Sequence, residues 1–251
     1  MGPGSTEHQR RLLAERLEAA RRSAPRRVRA WDLPTRLFHW LLVMLIASAY
    51  FTRTYSDDPT LYWHRITGYA MLALLLFRLI WGFAGSSTSR FAAFVPWPRR
   101  ALRYVLALLR HRPMHYLGHN PLGAALIFAM LLAVAAQAVA GLFTTDDVLA
   151  QGPLHDRVPA WLADRMGIYH AKGLWIALAL AAVHVVANLV YHFVMKDRLI
   201  TAMVTGDKPA LDYEDQLQAR PAPQWRAVVC AALAVAIVVG GVILAGDSVL
   251  R

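Results

Sequence analysis

The chain has 251 residues, of which 57% are hydrophobic and 17% charged, and its formal net charge is +11. This balance is typical of an integral membrane protein and excludes an ordinary water-soluble domain. No basic segment is interleaved with aromatic residues as in a nucleic-acid-binding module, so we expect no nucleic acid partner.

Residues 1–30 are polar and basic, and they precede the first apolar stretch without a cleavable signal pattern. We predict a solvated cytoplasmic tail, with the first membrane helix acting as its own insertion signal. A surface-lying amphipathic helix over residues 7–22 is the alternative, because its leucines fall on one side. The tail contains eight arginines: Arg10, Arg11, Arg16, Arg21, Arg22, Arg26, Arg27 and Arg29.

Five apolar stretches are each long enough to cross a bilayer, which takes about 20 residues of helix. They run roughly over Leu37–Tyr55, Tyr62–Phe83, Pro121–Phe143, Ile168–Met195 and Ala227–Ala245. Only helices and closed barrels satisfy their backbone in lipid, and these stretches lack the alternation of barrel strands. We therefore predict an all-α integral membrane helical bundle with membrane lipid around it.

The charges between the stretches predict the orientation of the bundle. The connection between the second and third stretches carries six arginines: Arg90, Arg99, Arg100, Arg103, Arg110 and Arg112. The connection between the third and fourth stretches carries four acids: Asp146, Asp147, Asp156 and Asp164. Positive loops stay in the cytoplasm. We therefore place the N-terminus inside and the C-terminus outside, and call the cytoplasmic end of the bundle inner and the other end outer.

Four histidines lie within the apolar stretches at two matching depths. His170 and His184 are fourteen residues apart, which corresponds to about 21 Å and almost four turns of helix. His64 begins the second stretch at the outer level of His170, and His39 lies in the first stretch at the inner level of His184. Ionisable groups inside membrane helices are costly and usually functional.

Two histidines at one level, with no acid beside them in the spans, form the axial ligand set of haem iron. We therefore predict His64 with His170 and His39 with His184 as ligands of two stacked haems. Imidazole also suits zinc and copper, but a compact zinc site takes three or four ligands at one depth.

Other residues near the histidines are candidates for contact with the haems. Arg78, fourteen residues after His64, either pairs with a propionate of the inner haem or extends to the cytoplasmic interface. Arg36 is a second inner candidate, and Gly68 leaves room for a flat ligand or for ordinary helix packing. The corresponding outer candidates are Arg65 and Lys172.

These residues resemble a known family, the prokaryotic di-haem b-type cytochromes of the cytochrome b561 group, which includes the membrane subunits of nickel–iron hydrogenases. The resemblance extends over roughly Val28–Leu211. It rests on Trp31–Trp40, His64 with Gly68 and Tyr69, Phe77–Phe83, Tyr116–Gly123 and Thr205–Pro209. It implies a four-helix core with two b haems on the first, second and fourth helices, matching His39, His64, His170 and His184.

The resemblance also implies a function and a location. Such proteins move electrons between a membrane quinone and an external redox protein, a c-type cytochrome or a hydrogenase, in the bacterial inner membrane. His119, Asn120 or His192 is a candidate hydrogen-bond partner for the quinone. The acidic loop Asp146–Asp164 could steer docking of a basic periplasmic partner, although a solvated loop is the plainer interpretation.

Two other functions stay open from the sequence. One is a quinone-linked superoxide oxidase that acts without a protein partner, with Lys172 or Arg65 attracting the anion to the outer haem. The other is a transporter or scaffold with structural histidines, but the broken helices and midplane acids of transporters are not evident.

We divide the chain into four parts: a tail over 1–30, the di-haem domain over 31–211, a linker over 212–225, and a fifth helix with a short outer tail over 226–251. The fifth helix has no histidine and no internal charge. We expect it to pack on the bundle or dock a partner, and to be dispensable for haem binding.

Overall fold

A computed structural model of the chain describes residues 27–55, 61–95, 97–110, 112, 114–145 and 150–247. The basic tail over 1–26, including the alternative helix over 7–22, lies outside the described residues, as do Asp146 and Asp147 of the predicted docking loop.

The described residues contain five helices long and apolar enough to cross a membrane. They are α1 (Leu33–Thr54), α2 (Tyr62–Ala84), α5 (Pro121–Gly141), α6 (Ala160–Leu189, continued by a π-helical turn over Val190–Val194) and α8 (Gln224–Leu244). The shorter elements are β1 (Arg27–Arg29), α3 (Phe91–Phe94), α4 (Pro98–Leu109), a 3₁₀ turn (His155–Arg157), α7 (Leu199–Thr205) and β2 (Asp207–Pro209). The prediction of an all-α membrane bundle is therefore confirmed.

Three helices begin earlier than their apolar stretches, because helix starts depend on local capping and not on hydropathy; α8 begins at Gln224, three residues before the predicted Ala227. The side chain of Asp32 accepts a hydrogen bond from the Thr35 amide at 2.8 Å, and Pro34 occupies the first turn, so α1 begins at Leu33. Helix α6 begins at Ala160, eight residues before the predicted Ile168. Its polar first turns continue the helix beyond the apolar run.

The helices pack unevenly around α2. Helix α2 packs along α1, α8 and α5, whereas α6 makes its extensive contact with α5 and not with α1 or α2. The helices that carry the predicted histidine pairs therefore face each other across a gap instead of interlocking. Such a gap leaves room for a flat ligand between α6 and the α1–α2 layer.

A small polar layer closes the inner end of the bundle. Strand β1 pairs antiparallel with β2, with Val28 opposite Lys208. The amides of Ala30 and Trp31 donate to the Gly206 carbonyl at 2.8 and 3.0 Å. Residues 27–30, which we predicted as tail, therefore belong to the folded part of the chain.

The segment over residues 212–223, predicted as a linker, lies across the inner end as a strap. Asp215 accepts hydrogen bonds from the Leu117 and Gly118 amides at 2.7 and 2.9 Å. Further along, the amides of Arg220 and Ala222 donate to the Ser87 and Ser86 hydroxyls at 2.8 and 3.0 Å. Backbone polar groups of the strap thus find partners in the bundle, which a free linker would leave to water.

Candidate functional site

The two histidines of the predicted outer pair, His64 and His170, lie next to each other. His64 in the first turn of α2 and His170 in α6 face each other with ring centroids 6.0 Å apart. Nδ1 of His64 lies 2.9 Å from the Ala49 carbonyl oxygen, and Nδ1 of His170 lies 2.9 Å from the Gln137 carbonyl oxygen. A carbonyl only accepts, so each Nδ1 carries the proton and each Nε2 keeps a free lone pair.

Helix α5 supports the outer pair in two ways that sequence reasoning missed. The Gln137 side-chain amide donates to the His170 carbonyl at 2.6 Å, in addition to the bond between Nδ1 of His170 and the Gln137 backbone. At Gly141 a Cβ atom would lie only 2.9 Å from Cε1 of His170, so glycine lets the imidazole approach the helix. Gln137 is the one amide side chain in the apolar sequence of α5, and this signal could have identified it.

Gly68 lies one turn beyond His64, and the position of its missing Cβ has no atom within 4 Å. The structure therefore supports open space at this glycine rather than helix packing. Gly173 on α6 differs, because a Cβ there would meet the side chains of Gln137 and Tyr169.

The inner pair is also formed, with a different surrounding. The rings of His39 in α1 and His184 in α6 have centroids 6.5 Å apart. Among the described residues, the buried Nδ1 of His39 has no hydrogen-bond partner. The Asn188 side-chain nitrogen lies 3.2 and 3.3 Å from the two ring nitrogens of His184 and donates to its carbonyl at 2.7 Å.

Arg78 is buried in α2, with 4% of its surface exposed, so the alternative in which it extends to the membrane interface is wrong. Its guanidinium carbon lies 4.6 Å from the centroid of the Phe91 ring and 5.9 Å from those of Phe38 and Phe94. Aromatic faces stabilise the cation. Its Nη1 is nevertheless buried without a hydrogen-bond partner among the described residues.

The other candidate cations, Arg36, Arg65 and Lys172, differ in their surroundings. Arg36 donates from Nη1 to the Val204 carbonyl at 2.5 Å, while its buried Nε has no partner in the described chain. At the outer end, Arg65 forms an ion pair with Asp247 at 2.5 Å, and Lys172 is exposed. The outer cations are therefore either neutralised or in water.

His119 lies closer to the inner pair than its loop position suggested. Its ring is 4.8 Å from Trp31 and 4.7 Å from Phe94 by centroids, and its Nδ1 is buried. Burial, followed by the charge of Arg78, lowers the pKa of His119 to about 3. His119 is therefore neutral at physiological pH.

A cavity of about 330 Å³ opens beside His119 at the inner end. Its wall combines the aromatic ring of Phe94 with six polar side chains: Arg100, Arg103, Tyr116, His119, Glu214 and Asp215. Of the other two quinone candidates, Asn120 accepts from the Gly123 amide at 2.8 Å as the N-cap of α5, and His192 lies in the π-helical turn. Neither of them lines this cavity.

The chain is similar in sequence to known proteins. Residues 30–206 match the family described as prokaryotic cytochrome b561. The chain is 27% identical over 212 residues to a probable Ni/Fe-hydrogenase B-type cytochrome subunit of Azotobacter chroococcum mcd 1, covering 71% of this chain and 87% of that protein.

Two other relatives are also similar to the chain. A protein of the same name in Cupriavidus necator is 24% identical over 206 residues, covering 70% of this chain and 84% of the relative. The probable Ni/Fe-hydrogenase 1 B-type cytochrome subunit of Escherichia coli K12 is 26% identical over 208 residues, covering 70% and 88%. The chain therefore belongs to the prokaryotic cytochrome b561 family, and it is a multi-pass membrane cytochrome of electron transfer with b-type haem.

Proposed function

We propose that the chain holds two b haems, one at each histidine pair, and carries electrons between the quinone pool and a redox protein docked at the outer end. The observation that carries this proposal is the pairing itself: two facing imidazole pairs, with centroid distances of 6.0 and 6.5 Å, in different parts of one bundle. When bound, each haem supplies a one-electron carrier.

The spacing of the rings leaves room for a metal ion between them. A metal held about 2 Å from one nitrogen of each imidazole would correspond to ring centroids about 6.3 Å apart. The outer pair has Nε2 available on both histidines, because both Nδ1 atoms bind carbonyl oxygens. Within the described residues no cluster of three or more histidine, cysteine or acidic side chains could hold a metal ion, so two imidazoles are the donor set at each level.

Two unpartnered cationic atoms support the inner haem in particular. Nη1 of Arg78 and Nε of Arg36 are buried and have no hydrogen-bond partner in the described part of the chain. A buried N–H of a guanidinium group without an acceptor is costly, and the carboxylate groups of a haem are suitable acceptors. We infer that these two arginines bind propionates of the haem held by His39 and His184.

The cavity beside His119 is the proposed site of the quinone. Its volume of about 330 Å³ falls at the lower end of the range for small-molecule sites, about 300–1,000 Å³. Phe94 offers an apolar wall for a ring, and the neutral imidazole of His119 can donate or accept a hydrogen bond at a quinone oxygen. His119 connects the cavity with the inner end of the bundle, since it lines the cavity and packs against Phe94 and Trp31.

The orientation that we propose rests on the distribution of charge between the helices, and the partner that we propose rests on the names of similar proteins. The arginine-rich connection that contains α4 lies between α2 and α5 and supports an inner end that faces the cytoplasm; we propose the bacterial inner membrane as the location. The similar proteins are named as subunits of Ni/Fe-hydrogenases. A hydrogenase-like protein docked at the outer end is therefore the partner we propose, ahead of a c-type cytochrome.

The alternative of a superoxide oxidase loses one of its two supports in the structure. Arg65 is paired with Asp247, so its charge is compensated, and only Lys172 of the two proposed attractors is exposed. Reduction of quinone by superoxide alone, without a partner protein, would favour this alternative.

The proposed function is tested by adding a quinol analogue to the oxidised, purified full chain and recording haem absorbance. We expect the quinol to reduce wild-type haem quickly. In His184→Ala the outer haem should remain reducible by dithionite but respond at least tenfold more slowly to quinol, because the inner carrier is missing.

The matched control is His155→Ala, in the loop between α5 and α6. Like His184, His155 is a half-buried histidine; its Nδ1 lies 3.0 Å from the Phe143 carbonyl oxygen, away from both histidine pairs. This variant should react with quinol like the wild type. A His184→Ala protein that quinol reduces at the wild-type rate would contradict a quinone site at the inner end.

A further inference from the structure

The fifth helix ends in a turn that directs the chain back onto α2. Gly246 has φ 89°, a left-handed conformation that glycine adopts without strain. The Gly246 amide donates to the Ile243 carbonyl at 3.0 Å, and the Asp247 amide donates to the Val242 carbonyl at 3.3 Å. This is a Schellman motif. It places the side chain of Asp247 against the first turns of α2.

Asp247 is a buried carboxylate with partners on α2. Its residue is 3% exposed. Oδ1 lies 2.5 Å from Nη2 of Arg65, and Oδ2 accepts a hydrogen bond from the Tyr69 hydroxyl. A buried ion pair of this kind is sensitive to loss of either member, because the remaining charge is left without compensation.

The first turn of α2 has little support of its own. Its N-cap residue, Leu61, has φ 51°, makes no side-chain capping bond, and no acid occupies the first turn. A negative group near a helix N-terminus stabilises it. Asp247 supplies that group from α8, so the end of the fifth helix holds the turn of α2 that carries His64.

The two sides of this turn have different partners. Residues advance by about 100° around a helix, so Arg65 and Tyr69 lie roughly 100° and 140° from His64 around the α2 axis. His64 faces His170 on α6, whereas Arg65 and Tyr69 contact the end of α8. The ion pair of Asp247 and Arg65 therefore lies on the same turn of α2 as His64, on the side that faces α8.

We propose that Asp247 is a positioning residue that, through Arg65 and Tyr69, sets the redox potential of the haem held by His64 and His170. The proposal rests on the proposed haem ligation by these histidines. It gives the fifth helix, which lies beyond the matched residues 30–206, a role in tuning the outer haem instead of docking a partner.

Removing Asp247 and removing Arg65 should shift the redox potential of the outer haem in opposite directions. Reduction lowers the positive charge at haem iron, so a nearby carboxylate opposes reduction and a nearby cation favours it. Asp247→Asn leaves Arg65 uncompensated and should raise the potential of the outer haem. Arg65→Gln removes the cation that faces Asp247 and should lower the potential, whereas the double variant removes both charges.

The experiment is a redox titration of the purified full chain, followed by haem absorbance, with haem content measured on each sample. The outer component is assigned as the one missing from His170→Ala. We expect D247N and R65Q to shift its ratio of reduced to oxidised haem, at fixed ambient potential, about five- to tenfold in opposite directions. The double variant should lie near the wild type, and the inner component should not move.

The matched control is Asp164→Asn, which removes an exposed carboxylate six residues before His170 on α6. Water screens this charge, so its shift should be much smaller than that of D247N. If D247N is not recovered, R65Q and the double variant carry the same test, because adding D247N must reverse the effect of R65Q.

Shifts of the same sign in D247N and R65Q would indicate lost packing only and would overturn the proposal, as would unchanged potentials in protein with two haems. Fewer than two haems in the wild type would instead refute the haem ligation on which the proposal rests. The two failures are therefore distinguished by the haem content of the wild-type sample.

Discussion

The outer and inner histidine pairs have similar ring spacing but different surroundings. Both outer imidazoles donate from Nδ1 to backbone carbonyls, and the nearby Arg65 is neutralised by Asp247. At the inner end, Nδ1 of His39 has no partner among the described residues, and Arg78 lies buried without an acidic partner in contact. The protein therefore fixes the outer ligands by hydrogen bonds, whereas a buried cation, Arg78, lies at the inner end.

This difference predicts the direction of electron flow. A ligand imidazole that donates to a carbonyl is more basic and favours oxidised iron. A buried cation favours reduced iron, because it repels the additional positive charge of oxidised iron. We therefore expect the outer haem to have the lower potential and the inner haem the higher one. Electrons would then move from an external donor to the quinone.

The largest effect is expected from a substitution that disrupts the outer histidine pair and leaves the inner pair intact. Gly141→Leu places a side chain where even a Cβ would lie 2.9 Å from the His170 ring, so the imidazole must move. We expect one of two haems to be lost, measured as the haem-to-protein ratio. Gly241→Leu on α8 is the control, because its Cβ position has no atom within 4 Å.

A second change tests the charge at the inner end. Arg78→Gln removes the buried cation, and we expect the ratio of reduced to oxidised inner haem at fixed potential to fall about tenfold. The outer component should not change, as followed by redox titration. Arg90→Gln removes an exposed arginine close to the inner end of α2 and should have little effect. Equal shifts of both haems in R78Q would contradict a local role.

The third prediction concerns the loss of stability at acidic pH that is caused by His119, which lies outside the membrane-spanning helices. Burial lowers its pKa to about 3 in the folded protein, whereas an unfolded histidine titrates near 6.5. Below pH 6.5 the unfolded state therefore binds the extra proton. The free energy of unfolding should fall by up to about 1.4 kcal/mol per pH unit as the pH drops toward 3.

His119→Gln should remove that contribution. Denaturant unfolding of the full chain at pH 7 and pH 5 measures the difference, and we expect the variant to lose less stability than the wild type between these two values. Equal losses in both proteins would show that His119 is not protected from protons in the folded state.

The smallest effect is expected at the end of the fifth helix. Gly246→Ala forces a Cβ into a left-handed conformation, which costs about 1 kcal/mol. Gly240→Ala is the control, since it lies within α8 without positive φ or close atoms and should be neutral or stabilising. Denaturant unfolding measures both. A G246A protein as stable as G240A would argue against the turn that positions Asp247.

The helices and the depths of their histidines were predictable because hydropathy and helical spacing are properties of each segment of the sequence by itself. Five apolar runs give five helices, and fourteen residues between His170 and His184 place both imidazoles on one face. These patterns do not depend on how the helices pack. The depth of His39 and His64 followed from the same reasoning.

The supporting contacts were not predictable because they depend on which helices are neighbours. Nothing in the sequence pairs Asp247 with Arg65, since 182 positions separate them. The clash that makes Gly141 necessary arises only once α5 packs on α6. The sequence did not separate His119 from Asn120 and His192 as quinone candidates, because the cavity that His119 lines depends on the strap and on Phe94.

The central claim, one haem at each histidine pair, is tested most directly by the haem-to-protein ratio of purified wild type, His39→Ala and His64→Ala, using pyridine haemochrome. We predict two haems per chain in the wild type and one in each variant, with different redox potentials remaining, while His155→Ala keeps two. A wild type with fewer than two haems, or single variants that retain both, would contradict it.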